Sequence, residues 1–418
     1  MVATLADEMR HTAQPERSTW GRRLPINPDM RLTQKVTVLT AAALVALAGG
    51  VLAPDAARAD GSRLPLPAPK TFTGTRYAAN PTNPLAGGSW AVNNGFWENG
   101  HGLYTDYRRA TGTTKAYLAR AALQPSALWL TSTNSFTRTK VPDYLRTVNP
   151  TRDPDRLVTV AVFGLWPRGE GARHTPLTRR QQTHYRTWIR RVSAGIGRSR
   201  VLVALEPDLA ITANRGSDGV RDPLVRQGLT RYAAQYFHDH NPRAVVYLDA
   251  GASDWLSPGQ AADLLQRSGV QFARGFSLDI THYTRTPDNI TQGAAIVDAL
   301  AARGIGKHFV IDTADSGRGY TYAQWAARFG TSTYDNSRRC SGAQPTLCNA
   351  LGVPPTWEVA QPAYVQALGL TAAQARTAVQ DVDAYVWLTR PWMLNQATPY
   401  RHTKALPAAQ YTPFASLF

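Results

Sequence analysis

Val201-Leu202-Val203-Ala204-Leu205-Glu206-Pro207-Asp208 is the stretch on which the fold turns. Five apolar residues run without a polar interruption, as in a strand covered on both faces. Two carboxylates then flank a proline, which cannot donate to a sheet ladder. Similar runs occur at Ala127–Leu130, Leu157–Phe163, Ala244–Leu248, Phe276–Ile280, His308–Ile311 and Ala384–Leu388. Helical patterns lie between them. Tyr185, Trp188, Ile189, Val192 and Ile196 share one helical face, with Arg186, Arg190 and Arg191 on the outer side. Ser257-Pro258 starts another helix as cap and first-turn residue. Further helices are expected over Lys115–Ala122 and from Thr291 to Arg303, the latter stopped at Gly304. This alternation predicts an α/β fold, a distorted (β/α) barrel of about seven mostly parallel strands.

In such folds the working residues gather at the carboxyl ends of strands. There the sequence places Trp166, Arg168 and Glu170, then Glu206 and Asp208, then Asp249, Asp254 and Trp255. Asp279 and His282 follow the next run, Asp312 and Asp315 the one after, and Thr389, Arg390 and Trp392 the last. Carboxylates and aromatics together at one end of a sheet describe a carbohydrate cleft, since rings stack on sugar faces and charged groups bind hydroxyls. Glycosidic cleavage needs a protonated carboxyl for the leaving oxygen and a carboxylate to activate water or attack the sugar. Crowding keeps one carboxyl protonated. Asp208 is the candidate acid, with Asp249 as the neighbour that raises its pKa or stabilises positive charge at the sugar. Read singly, an Asp after a strand is more often a helix cap or an ion-pair partner. The chain has no phosphate-binding Gly-x-Gly-x-x-Gly loop, Cys-x-x-Cys pair, His-Glu-x-x-His helix or Gly-x-Ser-x-Gly elbow.

The amino-terminal region reads as an export signal. Met30–Lys35 is short and basic, Val36–Leu52 is apolar or small, and Ala57-Arg58-Ala59 precedes Asp60. This predicts a signal peptide over 30–59 cleaved after Ala59, with a membrane anchor as the alternative. Residues 1–29 read as an upstream extension of the gene, and 60–75 as a Pro-rich linker. A single α/β barrel domain is expected over 76–418. The chain carries 46 Lys and Arg against 29 Asp and Glu, a net +17. Such charge favours polyanions or an anionic wall polymer. The arginines are dispersed rather than interleaved with aromatics, so nucleic acid is not an expected partner. Cys340 and Cys348 are the only cysteines, an even pair that reads as a disulfide closing a small loop.

Five segments in order resemble glycoside hydrolase family 6, the cellobiohydrolases and endoglucanases that invert configuration on β-1,4-glucan. Leu205-Glu206-Pro207-Asp208-Leu209 is similar to that family's IEPDSL, and Tyr247–Gly251 with Trp255 to YLDAGHAGW. Phe309–Thr313 resembles FVIDTSRNG, Leu347-Cys348-Asn349 resembles WCN, and Asp383–Trp387 resembles DAYLWVK. The resemblance covers roughly residues 125 to 392 and implies a seven-stranded distorted barrel with a cleft or tunnel across its top. It makes Asp208 the general acid, Asp249 the charge-supporting Asp, Trp255 a sugar-contacting or cleft-shaping ring, and Arg168 the Arg of a PDRDC loop.

The departures fall around the water's side of the reaction. Gly169 stands where that loop has an Asp, with Glu170 one position later; a bend in the loop would let the longer side chain substitute. In the last segment Thr389, Met393 and Asn395 replace the family's Lys, Glu and proposed base Asp. An amide cannot accept the proton. Ala252 and Leu347 replace a His and a Trp.

The expectation is therefore a secreted, monomeric glycosidase on β-1,4-glucan or a related polysaccharide, without metal or cofactor. The rival is a non-hydrolysing carbohydrate-binding or cell-envelope protein on the same scaffold. Candidate catalytic residues are Asp208, Asp249 and Glu170; Asp254, Asp279 and Asp315 are other conceivable bases. Arg168, Trp166, Trp255, His282, Asp312, Arg390 and Trp392 are the candidate substrate contacts.

Overall fold

A computed structural model describes residues 83–92, 102–132, 140–213, 219–331, 334, 338–343, 347–396 and 399–418, together with the backbone of two short strands, β1 (Phe72–Thr73) and β2 (Arg76–Tyr77). The expected leader, the stretch before it and most of the expected linker lie outside the described residues.

Seven strands form one all-parallel sheet in chain order: β3 (Leu128–Thr131), β4 (Val158–Phe163), β5 (Val201–Leu205), β6 (Ala244–Asp249), β7 (Gly275–Leu278), β8 (His308–Asp312) and β9 (Val382–Val386). Its helices are α1 (Leu103–Arg109), α2 (Gly112–Ala122), α3 (Lys140–Val148), α4 (Arg179–Ile196), α5 (Pro223–His240), α6 (Pro258–Arg267), α7 (Thr286–Ala301), α8 (Tyr322–Phe329), α9 (Pro362–Leu368), α10 (Ala372–Asp381) and α11 (His402–Gln410). The sheet curls until its edges touch. Ala127 N–H donates to Trp387 O at 2.9 Å, and the Trp129 indole donates to Leu388 O at 2.7 Å.

Strand parity divides the apolar residues into two cores. Leu202, Ala204, Val245, Tyr247, Val310, Ala384 and Val386 meet inside the curl. Val203, Leu205, Val246, Leu248, Phe276 and Ile311 face the helices. The α4 face read from sequence is buried as Tyr185, Trp188, Ile189, Val192 and Ile196, and Arg186, Arg190 and Arg191 are exposed. Each such large apolar side chain contributes about 1.5–3 kcal/mol on burial. Capping boxes set the starts of α4, α6, α8 and α10 through Thr178/Gln181, Ser257/Gln260, Thr321/Gln324 and Thr371/Gln374.

Two expected boundaries move, each for a physical reason. β7 ends at Leu278 because Asp279 and Thr281 take φ of +70° and +63°, outside extended backbone. β9 begins at Val382, earlier than the apolar run, because it carries a charged residue into the interior. Arg274 forks onto that Asp383 at 2.8 and 2.9 Å, and the Tyr247 hydroxyl donates to it at 2.7 Å. Both ion-pair partners are buried. Beyond Thr389 the chain returns through α11, and Cys340 and Cys348 are disulfide-bonded.

Candidate active site

The same parity that builds the interior core aims the carboxylates. Asp249 follows Val245 and Tyr247 on the inward side of β6, and Asp312 follows Val310 on β8. Asp208 arrives differently. Glu206 and Asp208 take φ of +56° and +66°, so the chain leaves β5 through a strained turn. The turn sends Glu206 outward, where it accepts from Gly164 N (2.9 Å), Leu165 N (3.0 Å) and the Tyr185 hydroxyl (2.7 Å). It leaves Asp208 over the sheet's end, next to Asp249.

Asp208 is held from three sides. The Thr281 hydroxyl lies 3.2 Å from Oδ1 and 2.6 Å from Ile280 O. The hydroxyl divides its proton between these two acceptors, and its share on Asp208 favours the carboxylate form. The Glu170 carboxyl hydrogen-bonds Asp208 directly, and His282 adds positive charge nearby. Two carboxyls in hydrogen-bond contact share a proton. Burial raises the Asp208 pKa, and the Glu170 bond, His282 and Thr281 pull it back in part. Asp249 is pushed well above the carboxylate range by burial and then by the Asp208 charge, against N–H groups of Gly251, Ala210 and Asp208.

Glu170 reaches this position because the loop bends. Gly169 has φ +76° and ψ 162°, a conformation that a residue with a Cβ avoids. The contact also limits what Glu170 does: a base across an inverting pair stands about 6.5–9.5 Å from the acid, with water between. Glu170 touches Asp208 instead. The other candidate bases have contacts of their own, each through one oxygen. Asp254 accepts from Tyr322 N at 2.6 Å, Asp279 from Thr284 N and Oγ1 at 3.0 and 2.5 Å, and Asp315 from Asn349 at 3.4 Å. Asn395 is exposed, in left-handed backbone with φ +49°.

The expected substrate contacts divide. Trp255 and His282 stack at 4.5 Å beside Asp208, and both are half-buried. Arg168 is exposed on the Glu170 loop, and half-buried Arg390 lies 4.8 Å over the Trp129 ring. Three others fill structural places. Trp166 is buried with the Arg226 guanidinium 4.5 Å over its ring, and Trp392 is buried against Trp387 in a satellite core. Asp312 accepts from Ala314 N, Leu388 N, Thr389 N and Thr389 Oγ1 at 3.0, 3.1, 2.6 and 2.5 Å. Its lone pairs are spent on the chain. The apolar bodies of the two tryptophans find more burial in the core than at a wet rim, and position after a strand does not reveal that.

Sequence reading passed over Thr281, although it is the first polar residue after a predicted strand and so met the rule used for the others. Thr389 extends the set, because its Oγ1 accepts from Thr281 N at 2.8 Å while donating to Asp312. The residue in the place of the family's Lys thus ties Asp312 to the Asp208 pocket.

The buried carboxyls make stability depend on pH. Burial raises Glu206 from 4.5 to about 7 and Asp312 from 3.8 to about 6. In this range the native state holds protons that the unfolded chain has released. Their contribution is full below the unfolded pKa and is lost as pH rises through about 6 to 7. His308, lowered by burial, opposes over part of this range, and Lys404, lowered to about 8, acts above it. The carboxyls outnumber them. Tm is expected to be about 2–4 °C higher at pH 5 than at pH 8; calorimetry showing the reverse order would contradict this reading.

The parallel sheet curled into a barrel thus carries at its carboxyl end a hydrogen-bonded carboxyl pair with a third carboxyl beside it. The model of "Glycosyl hydrolases family 6" matches residues 89–393, and the chain belongs to that family. Endoglucanase 1 of Streptomyces halstedii is 28% identical over 278 residues, covering 65% of this chain and 81% of the relative. Endoglucanase A of Cellulomonas fimi is 33% identical over 219 residues, covering 52% and 45% respectively. Among solved structures, the endoglucanase Cel6 of Mycobacterium tuberculosis, in complex with a methyl-cellobiosyl thio-cellobioside, superposes with TM-score 0.58 at 26% identity over 79% of this chain and 99% of that one. An Orpinomyces family 6 enzyme, 18% identical with TM-score 0.60 over 79% and 98%, shares the fold. Among the described residues, no helix is long and apolar enough to cross a membrane.

Proposed function

We propose that this chain is an exported glycosidase that hydrolyses β-1,4-glucan or a closely related polysaccharide with inversion, Asp208 serving as general acid. The observation that carries the reading is the hydrogen-bonded Asp208–Glu170 pair with Asp249 beside it. Burial raises the pKa of both Asp208 and Asp249, which favours a proton within the cluster for the leaving oxygen, and Asp249 faces the positive charge that develops on the sugar. Trp255 and His282 supply ring surface for the neighbouring sugar unit. The endoglucanase relatives favour a glucan substrate, and the sequence at 30–59 favours export. Release of reducing ends from cellulose and other β-glucans by the purified protein tests this; binding without release from every glycan would overturn it.

A second reading, carbohydrate binding without turnover, is favoured by one feature: an amide, Asn395, at the position of the family's proposed base. Asn395→Asp separates the two. Its left-handed backbone tolerates Asp as well as Asn, so the fold is expected to survive. If the missing base limits the rate, turnover should rise by about 10-fold or more, within the usual range for one acid–base group. Unchanged kcat would place water activation elsewhere.

A further inference from the structure

A second feature lies at the opposite end of the barrel from Asp208. A cavity of about 550 Å³ opens between α3, the loop before β4 and the chain entering β5 and β6. Its lining includes Arg146, Arg152, Arg156, Arg198, Arg200 and Arg243, with Asp153 the one acidic residue in the lining. Asp143 pairs with Arg146, and Asp155 with Arg243 at 3.1 Å. Six guanidinium groups against these three carboxylates leave three positive charges over.

The two innermost arginines show the imbalance directly. Arg200 and Arg243 are only 4% and 7% exposed, and the Nε–H of each finds no acceptor among the described residues. Arg200 spends its terminal nitrogens on the carbonyls of Pro84, Ala86, Gly87 and Asp155 at 2.7–3.1 Å. Burial lowers the pKa of both; Arg243 lowers Arg200 further and Arg198 lowers Arg243, while the Asp155 and Asp153 carboxylates raise both in part. Arg152 and Arg198 are exposed at the rim. A scaffold that needed only internal hydrogen bonds here would gain nothing from gathering repelling cations around an open space.

We infer that this cavity is an anion site that takes the phosphate groups of a polyanion, independently of glucan hydrolysis. Arginine forks match phosphate oxygens bidentately, and a chain of phosphates would neutralise the three surplus charges together where a single carboxylate neutralises one. The shared chemistry is phosphate, carried either on an inorganic polyphosphate or on a phosphodiester polymer.

The full chain is titrated with inorganic tripolyphosphate and with poly(glycerol phosphate), with polygalacturonate as the carboxylate comparison. The rim variant Arg152→Glu with Arg198→Glu is compared with Arg179→Glu with Arg180→Glu, exposed residues at the start of α4 on the other end of the barrel. Both variants change net charge equally. The proposal expects salt-sensitive binding of at least one phosphate probe. It also expects that probe's affinity to drop about 10-fold or more in the rim variant and less than about 3-fold in the control. The tighter phosphate probe identifies the source. Equal losses in the two variants, preference for polygalacturonate, or no phosphate binding at low salt would overturn it.

Discussion

Asp208→Asn is expected to lower kcat for reducing-end release by about 10²–10⁴-fold, the range for one general acid. The fold should not suffer. Asparagine matches the shape of aspartate, and the change removes the charge that repels buried Asp249. Far-UV circular dichroism should therefore be unchanged, and Tm unchanged or raised. KM for a soluble oligosaccharide should move little, because the lost interaction belongs to the transition state. A folded Asp208→Asn protein that keeps activity within about 10-fold of wild type would remove Asp208 from the acid's role. The proton would then have to come from Glu170 or Asp249.

The largest stability effect is expected in the barrel interior. Arg274→Met leaves the Asp383 carboxylate buried, its remaining side-chain partners among the described residues being the Tyr247 hydroxyl and the more distant His308 ring, 3.9 Å away. Removing one partner of a buried pair costs about 3–5 kcal/mol, because the remaining charge is desolvated without compensation. Arg274→Met with Asp383→Asn should recover a large part of that loss, since the amide carries no charge and still accepts from Tyr247. Urea unfolding of the single and double variants reads both quantities. A single-variant loss below about 1 kcal/mol would mean that water reaches the pair and that the interior is less dry than its packing implies.

These two tests bear on different levels of the molecule. Asp383 sits at the beginning of β9, where a register shift against Phe309 and Val310 interrupts the alternation and turns a charge into the barrel, and Arg274 precedes β7 to meet it. Asp208, Asp249 and Asp312 occupy the other end of the same sheet. At the first end the buried Asp383 carboxylate is neutralised by Arg274. At the other end Asp312 is satisfied by Thr389, while Asp208 shares a proton with Glu170. That difference in partners separates a structural carboxylate from a candidate catalytic one, although both follow an apolar run and read alike in one dimension.

Much of the fold was legible because its signals are local. Continuous apolar runs mark strands buried on both faces, and caps such as Ser257 with Gln260 mark helix starts within a few residues. The ordered segments around Asp208, Asp249 and Asp312 were enough to suggest the family. The start of β9 was less legible because Asp383, polar and inside the sheet, breaks the apolar pattern. The end of β7 was missed because positive φ at Asp279 and Thr281 is set by packing rather than by residue type.

For the site, sequence alone determined which carboxylates stand at the carboxyl ends of parallel strands, and that Asn395 cannot accept a proton. Those follow from strand period and from side-chain chemistry, which need no neighbours. Only the tertiary structure decided that Glu170 touches Asp208, that Thr281 and Thr389 connect Asp208 to Asp312, and that Trp166 and Trp392 are buried. Each of these depends on contact between residues far apart in the chain. A loop bent at Gly169 and a strained turn at Asp208 choose those contacts, and the packing of the whole barrel holds both in place.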